Sequence, residues 1–98
     1  MQVEFTADIW RWEARAELWC FVAVPDEISE ALHELPGPRA GFGSVPVEVR
    51  LAASVWRTSI FPEIARGRFV LPLKKAVRQR YGLGVGDRVT VSIETVGI

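Results

Sequence analysis

The sequence predicts a mainly β fold with two short helices, closed as a pseudo-twofold barrel of roughly six or seven strands. Three observations carry that expectation. Residues 67–94, GRFVLPLKKAVRQRYGLGVGDRVTVSIE, read as strand, helix, glycine turn and strand in succession. An earlier stretch repeats the order more loosely. FVAVPDEISEAL matches FVLPLKKAVRQR as strand, proline and helix, and GFGSVPVEV matches GLGVGDRVTV as glycine turn and alternating strand. Neither unit can close a core alone, so the two should bury their apolar faces against each other. Finally, 98 residues that are 49% apolar supply one core but not two, in a single domain over residues 1–98.

In chain order, Val3, Phe5, Ala7 and Ile9 alternate with Gln2, Glu4, Thr6 and Asp8, the period of a strand with one wet face. The adjacent apolar pair Ile9 and Trp10 changes the parity and predicts a bulge or a barrel end. Residues 13–16, EARA, make the turn of a hairpin into LWCFVAV, whose continuous apolar run predicts a central strand buried on both faces. Pro25 closes that strand and opens a helix over 26–35, with Ile28, Ala31, Leu32 and Leu35 as its buried stripe. Asp26 and Glu27 suit the positive end of the helix dipole.

Residues 36–44 form a Pro- and Gly-rich connection or lip. Val45, Val47, Val49 and Leu51 then alternate into a strand whose Pro46 belongs at an edge or bulge. Ala52, Ala53 and Ser54 turn the chain into VWRTSIF, with Trp56, Thr58 and Ile60 on one face and Val55, Arg57, Ser59 and Phe61 on the other. If the latter face points inward, Arg57 must find a carboxylate, carbonyls or a bound anion, because an unpaired buried charge costs several kcal/mol. In the last unit Pro72 starts the helix, Leu73, Ala76, Val77 and Tyr81 form its stripe, Gly82 stops it, and Val89, Val91 and Ile93 alternate in the closing strand.

The formal charge is zero, yet it is unevenly spread. Residues 1–35 hold eight acids and two bases, −6, and residues 36–98 hold ten bases and four acids, +6. Between Glu63 and Asp87 there is no acid, while Arg66, Arg68, Lys74, Lys75, Arg78 and Arg80 fall in that window. Such a split serves either a charged partner or two faces of one fold that attract each other. No apolar run reaches the length of a membrane span, and MQVEFTADIW lacks a secretory start, so the expected location is the cytoplasm. The single cysteine, Cys20, forms no internal disulfide and reads as buried filler within LWCFVAV. His33 with Glu30 and Glu34 lies on a solvated helix face that no second cluster completes as a metal site, and no cofactor is expected.

The unit ending in GRFVLPLKKAVRQRYGLGVGDRVTVSIE also resembles the swapped-hairpin unit of the AbrB/SpoVT/MazE group through Leu71, Pro72, Gly82, Gly86 and Asp87. The whole chain resembles a bacterial family, domain of unknown function nineteen-oh-five, through FTADIWRW, GFGSVPV, WRTSIFP and LPLKKAVR…GLGVGD, motifs that span about nine-tenths of its length. That resemblance implies a double-split β-barrel in which one chain does what two AbrB-type chains do as a dimer. It implies no activity.

Three functions are weighed on the residues. The first is a non-enzymatic binding module for an anionic ligand or an acidic protein surface, using Arg57, Thr58 and Ser59 with Lys74, Lys75 and Arg78. Lys74 and Arg78 are i, i+4 neighbours, although such bases also serve simply as a solvated face. GFGS offers either an anion nest or a tight turn. The second is nucleic-acid binding, which a neutral chain with an acidic first third suits poorly. The third is a hydrolase-type enzyme, for which Ser59 has no histidine nearby in sequence. Trp19 and Trp56 read as core, and Trp10 and Trp12 as strand-end residues of which Trp12 offers a rim contact. No membrane partner is expected, and the state is a monomer or a weak homodimer.

Overall fold

A computed structural model describes residues 1–11, 20–34, 43–63 and 67–97. The chain is mainly β with two helices: β1 (Gln2–Asp8), β2 (Trp10–Arg11), β3 (Cys20–Ala23), α1 (Asp26–His33), β4 (Val45–Leu51), β5 (Ser54–Glu63), β6 (Arg68–Leu73), α2 (Lys75–Tyr81) and β7 (Arg88–Thr95). The strands form one curled antiparallel sheet in the order β1-β7-β4-β5-β6-β3-β2. Its two ends are successive parts of one segment, since only Ile9 separates β1 from β2. The sheet thus returns to the segment where it began, which gives it a barrel-like form.

β1 and β2 part at Ile9 because its backbone bonds elsewhere. Ile9 N–H donates to Asp87 O at 2.8 Å and its carbonyl accepts Gly86 N–H at 2.8 Å. Residues 2–8 pair with β7 and residues 10–11 with β3. β5 does the same in one piece, pairing with β4 over Ser54–Ile60 and with β6 over Phe61–Glu63. Like strands of the two halves also pair with each other, β3 with β6 and β4 with β7. At the centres of those ladders, Val22 faces Leu71 and Val49 faces Ile93. All four are essentially inaccessible and belong to one core.

The expected alternation in β1, β4, β5 and β7 is present, with Phe5, Val45, Val47, Val49, Leu51, Val89, Val91 and Ile93 buried. β3 is buried on both faces, as its unbroken apolar run requires. The hairpin at 13–16, Trp12, Leu18, Trp19, Leu35, Gly41 and Arg66 lie outside the described residues. Pro46 occupies the start of an interior strand, another place where a missing donor is tolerated.

The two prolines are not equivalent corners. Pro25 is the N-cap of α1, but Pro72 lies inside β6 and Lys74 caps α2. Val24 N–H bonds Phe69 O at 2.9 Å. Alternation of antiparallel pairs then puts Phe21 and Pro72 at a site that exchanges no hydrogen bonds, so the ladder to β3 loses nothing at Pro72. Leu73 is accordingly a buried strand residue, Ala76 is exposed, and the buried side of α2 carries Val77 and Arg78. Gly82 ends the helix in the left-handed region at φ 63, with Leu83 N–H bonding Arg78 O at 2.8 Å.

Each helix is tied to its preceding strand by its fourth residue. Ser29 Oγ donates to Val24 O at 3.1 Å and accepts Phe69 N–H at 3.1 Å, and Arg78 Nε donates to Leu73 O at 3.4 Å. Both side chains are buried.

Leu71→Ala should cost about 2–5 kcal/mol, because it leaves a cavity where the halves meet. Urea unfolding should remain a single transition at lower midpoint, whereas Val85→Ala, on a side chain 59% exposed, should stay within about 0.5 kcal/mol of the parent.

Candidate functional site

Arg57 does not face inward. Trp56 and Ile60 fill the buried face of β5, which leaves Arg57 exposed directly across the ladder from Glu48. A solvated guanidinium needs no internal counter-charge, so burial imposes no requirement for a bound anion there. Thr58, on the Trp56 side, and Ser59, on the Arg57 side, are half-buried opposite Val47 and Pro46. Consecutive strand residues point to opposite faces, so these three side chains do not form one constellation. Phe61 continues the outer row and is exposed.

The basic side chains of the last unit separate into distinct roles. Arg68 pairs with Glu63 at 3.0 Å, and Arg88 pairs with Asp8 at 3.1 Å across the β1–β7 ladder. Arg78 is buried against the end of β6, so Lys74 and Arg78 do not present a common exposed face. Lys74, Lys75 and Arg80 are exposed, with no carboxylate of the described residues in ion-pair reach.

β5 meets α2 at Ser54, three residues before Arg57. Tyr81 Oη accepts Ala53 N–H at 3.2 Å and lies 3.0 Å from Ser54 Oγ. Arg80 Nη1 donates to the same Ser54 Oγ at 3.4 Å, and its guanidinium stands 5.4 Å from the centre of the Tyr81 ring. Ser54 Oγ thus accepts from Arg80 and shares a hydrogen bond with Tyr81 in which either hydroxyl can donate. The phenol is held below its usual value chiefly by that Ser54 hydrogen bond, helped by Ala53 N–H and the Arg80 charge and opposed by partial desolvation. Sequence reading placed Tyr81 in an apolar stripe and Ser54 in a turn. The available signal was an Arg-Tyr pair just before the helix-stopping Gly82.

This corner supplies hydrogen-bond donors and positive charge at the surface. α1 offers the opposite. Asp26, Glu27, Glu30 and Glu34 are exposed along it, and His33 packs on Phe69 at 4.6 Å between ring centres with Nε2 3.3 Å from Gly67 O. Among the described residues, no three His, Cys, Asp or Glu side chains converge as metal ligands, and no helix is long and apolar enough to cross a membrane.

Tyr81 is the sole tyrosine, so ultraviolet titration reads it directly. Its midpoint should lie below the usual value of about 10, and Ser54→Ala should move it upward.

Trp10 stacks on Phe21 at 5.2 Å and Trp56 is core, while Trp12 and Trp19 lie outside the described residues. No curated protein matches the chain. The family model described as "Domain of unknown function (DUF1905)" matches residues 5–93, from Phe5 in β1 to Ile93 in β7, both of them core side chains. On that extent of agreement the chain belongs to the DUF1905 family.

Proposed function

We propose that the chain is a non-enzymatic binding module whose α2 face takes an anionic group, either on a small ligand or on an acidic protein surface. We read it further as a single bacterial cytoplasmic domain with an AbrB-like barrel, a reading supported by the pairing of like strands from the two halves. The observation that carries the binding proposal is the state of the cations on and beside α2. Lys74, Lys75 and Arg80 are exposed and without described carboxylate partners, whereas Arg68 and Arg88 are already paired. Arg80 is also held beside the Ser54 hydroxyl, so a bound oxyanion meets charge and a hydroxyl together.

An extended nucleic acid fits less well. Counterion release rewards a broad field of bases, and the exposed surface of α1 is acidic. An acidic patch needs only the few exposed bases that α2 offers, and a compact oxyanion only Arg80 with the adjoining Ser54 hydroxyl.

The test is a chemical-shift titration with inorganic phosphate and, separately, with an acidic peptide. Reversing Lys74, Lys75 and Arg80 to Glu should weaken the responsive ligand at least roughly tenfold, a loss equal to about 1.4 kcal/mol. Arg57→Ala, which lies off α2, should change it little. An equal loss from Arg57→Ala would move the site to the outer face of β5, and no response to either ligand would remove the proposal.

A further inference from the structure

We propose that this chain exchanges its second half with a second copy of itself, opening at Ala52 and Ala53 to form a swapped dimer. The inference starts from where the strand ladders run. Taking residues 1–51 as one half and 54–97 as the other, four of the six ladders among the described residues join the halves: β1–β7, β3–β6, β4–β5 and β4–β7. Only β2–β3 and β5–β6 lie within a half. The covalent chain, by contrast, passes between the halves once, through the turn from Leu51 to Ser54. Each half therefore finds its main partner in the other half, and chain continuity at that turn decides whether the partner is its own.

The turn itself is strained. Leu51 faces Ser54, so only Ala52 and Ala53 make the reversal. Ala52 stands at φ +52, the sole positive φ at a non-glycine residue among those described. A β-carbon in that region meets the following carbonyl, a clash that glycine avoids. Two-residue hairpins ordinarily place Asn, Asp or Gly here. Alanine has no side-chain oxygen with which to stabilise the bend.

Opening the turn removes that clash and costs no ladder. The register that sets Leu51 opposite Ser54 would, if continued, set Ala52 of one copy opposite Ala53 of the other. β4 and β5 then become one long strand, crossed antiparallel by the same strand of the second copy, and small side chains meet at the crossing. The opposing force is local: Tyr81 Oη accepts Ala53 N–H in the closed turn, while its contact with Ser54 lies within the second half and is kept on exchange. Short strained hinges between mutually paired elements favour exchange.

The test refolds the full chain from denaturant at about 10 µM and at about 1 mM, the range over which chains compete for one another's segments. Size-exclusion chromatography with light scattering reads the product. A dimer should form at the higher concentration. Ala52→Gly should lower the dimerisation constant roughly tenfold or more, because the dimer opens two turns and glycine removes the clash from both. Glu48→Cys with Arg57→Cys, partners across β4–β5, distinguishes exchange from surface contact; Cys20 is buried and stays out of the reaction. Under oxidation the monomer fraction should close this bridge within one chain and the dimer fraction between two. The proposal is overturned if the parent stays monomeric at the higher concentration, if the dimer bridges only within chains, or if Ala52→Gly dimerises as readily as the parent.

Discussion

The fold rests on pairing between like strands of its two halves. β3 meets β6 at Val22 and Leu71, and β4 meets β7 at Val49 and Ile93, so each half covers the apolar face that the other cannot hide. This demand explains several otherwise separate features. The N-terminal segment breaks its ladder at Ile9 because it must leave β7 and reach β3, as β5 leaves β4 and reaches β6. It also explains why both helices bond back to the strands they follow, through Ser29 and Arg78. A helix in this fold caps a barrel whose ladders are made elsewhere, and its burial depends on being tied down.

What the sequence revealed depended on whether one physical signal had one meaning. Alternation in β1, β4 and β7 was unambiguous, because only one parity of each strand is apolar. The outer row of β5 was not. Val55 and Phe61 made the Arg57 face look eligible for the interior, and only packing shows that Trp56 and Ile60 occupy it. Pro72 misled for a related reason. Proline suits a first helical turn and also a strand position that donates nothing, and the choice was made by β3, fifty-one residues before Pro72 at the paired Phe21.

The candidate site was less legible than the fold. Basic residues of α2 were visible in sequence, but their division was not. Arg78 turns inward as the counterpart of a buried serine, a role its charge does not announce, while Lys74, Lys75 and Arg80 remain at the surface. Ser54 and Tyr81 lie 27 positions apart, and their meeting follows from how α2 returns over the β4–β5 turn. Periodicity cannot anticipate a contact that tertiary packing creates.

Equivalence between the halves constrains shape and leaves charge free. At the ladder centres the paired residues stay apolar, Val22 with Leu71 and Val49 with Ile93. On the helices, Asp26 and Glu27 open α1 after its N-cap Pro25, and Lys75 opens α2 after its N-cap Lys74. The acids agree with the helix dipole. The lysines oppose it, at a cost of about 0.3–1 kcal/mol each when exposed. Local rules are most often broken where a surface serves something besides stability. An acidic group beside Lys74 and Lys75 would offset that repulsion, whereas the first turn of α1 is already electrostatically matched. The two helices, alike in position, therefore differ in what they leave unmet: the first turn of α1 is electrostatically matched and that of α2 is not.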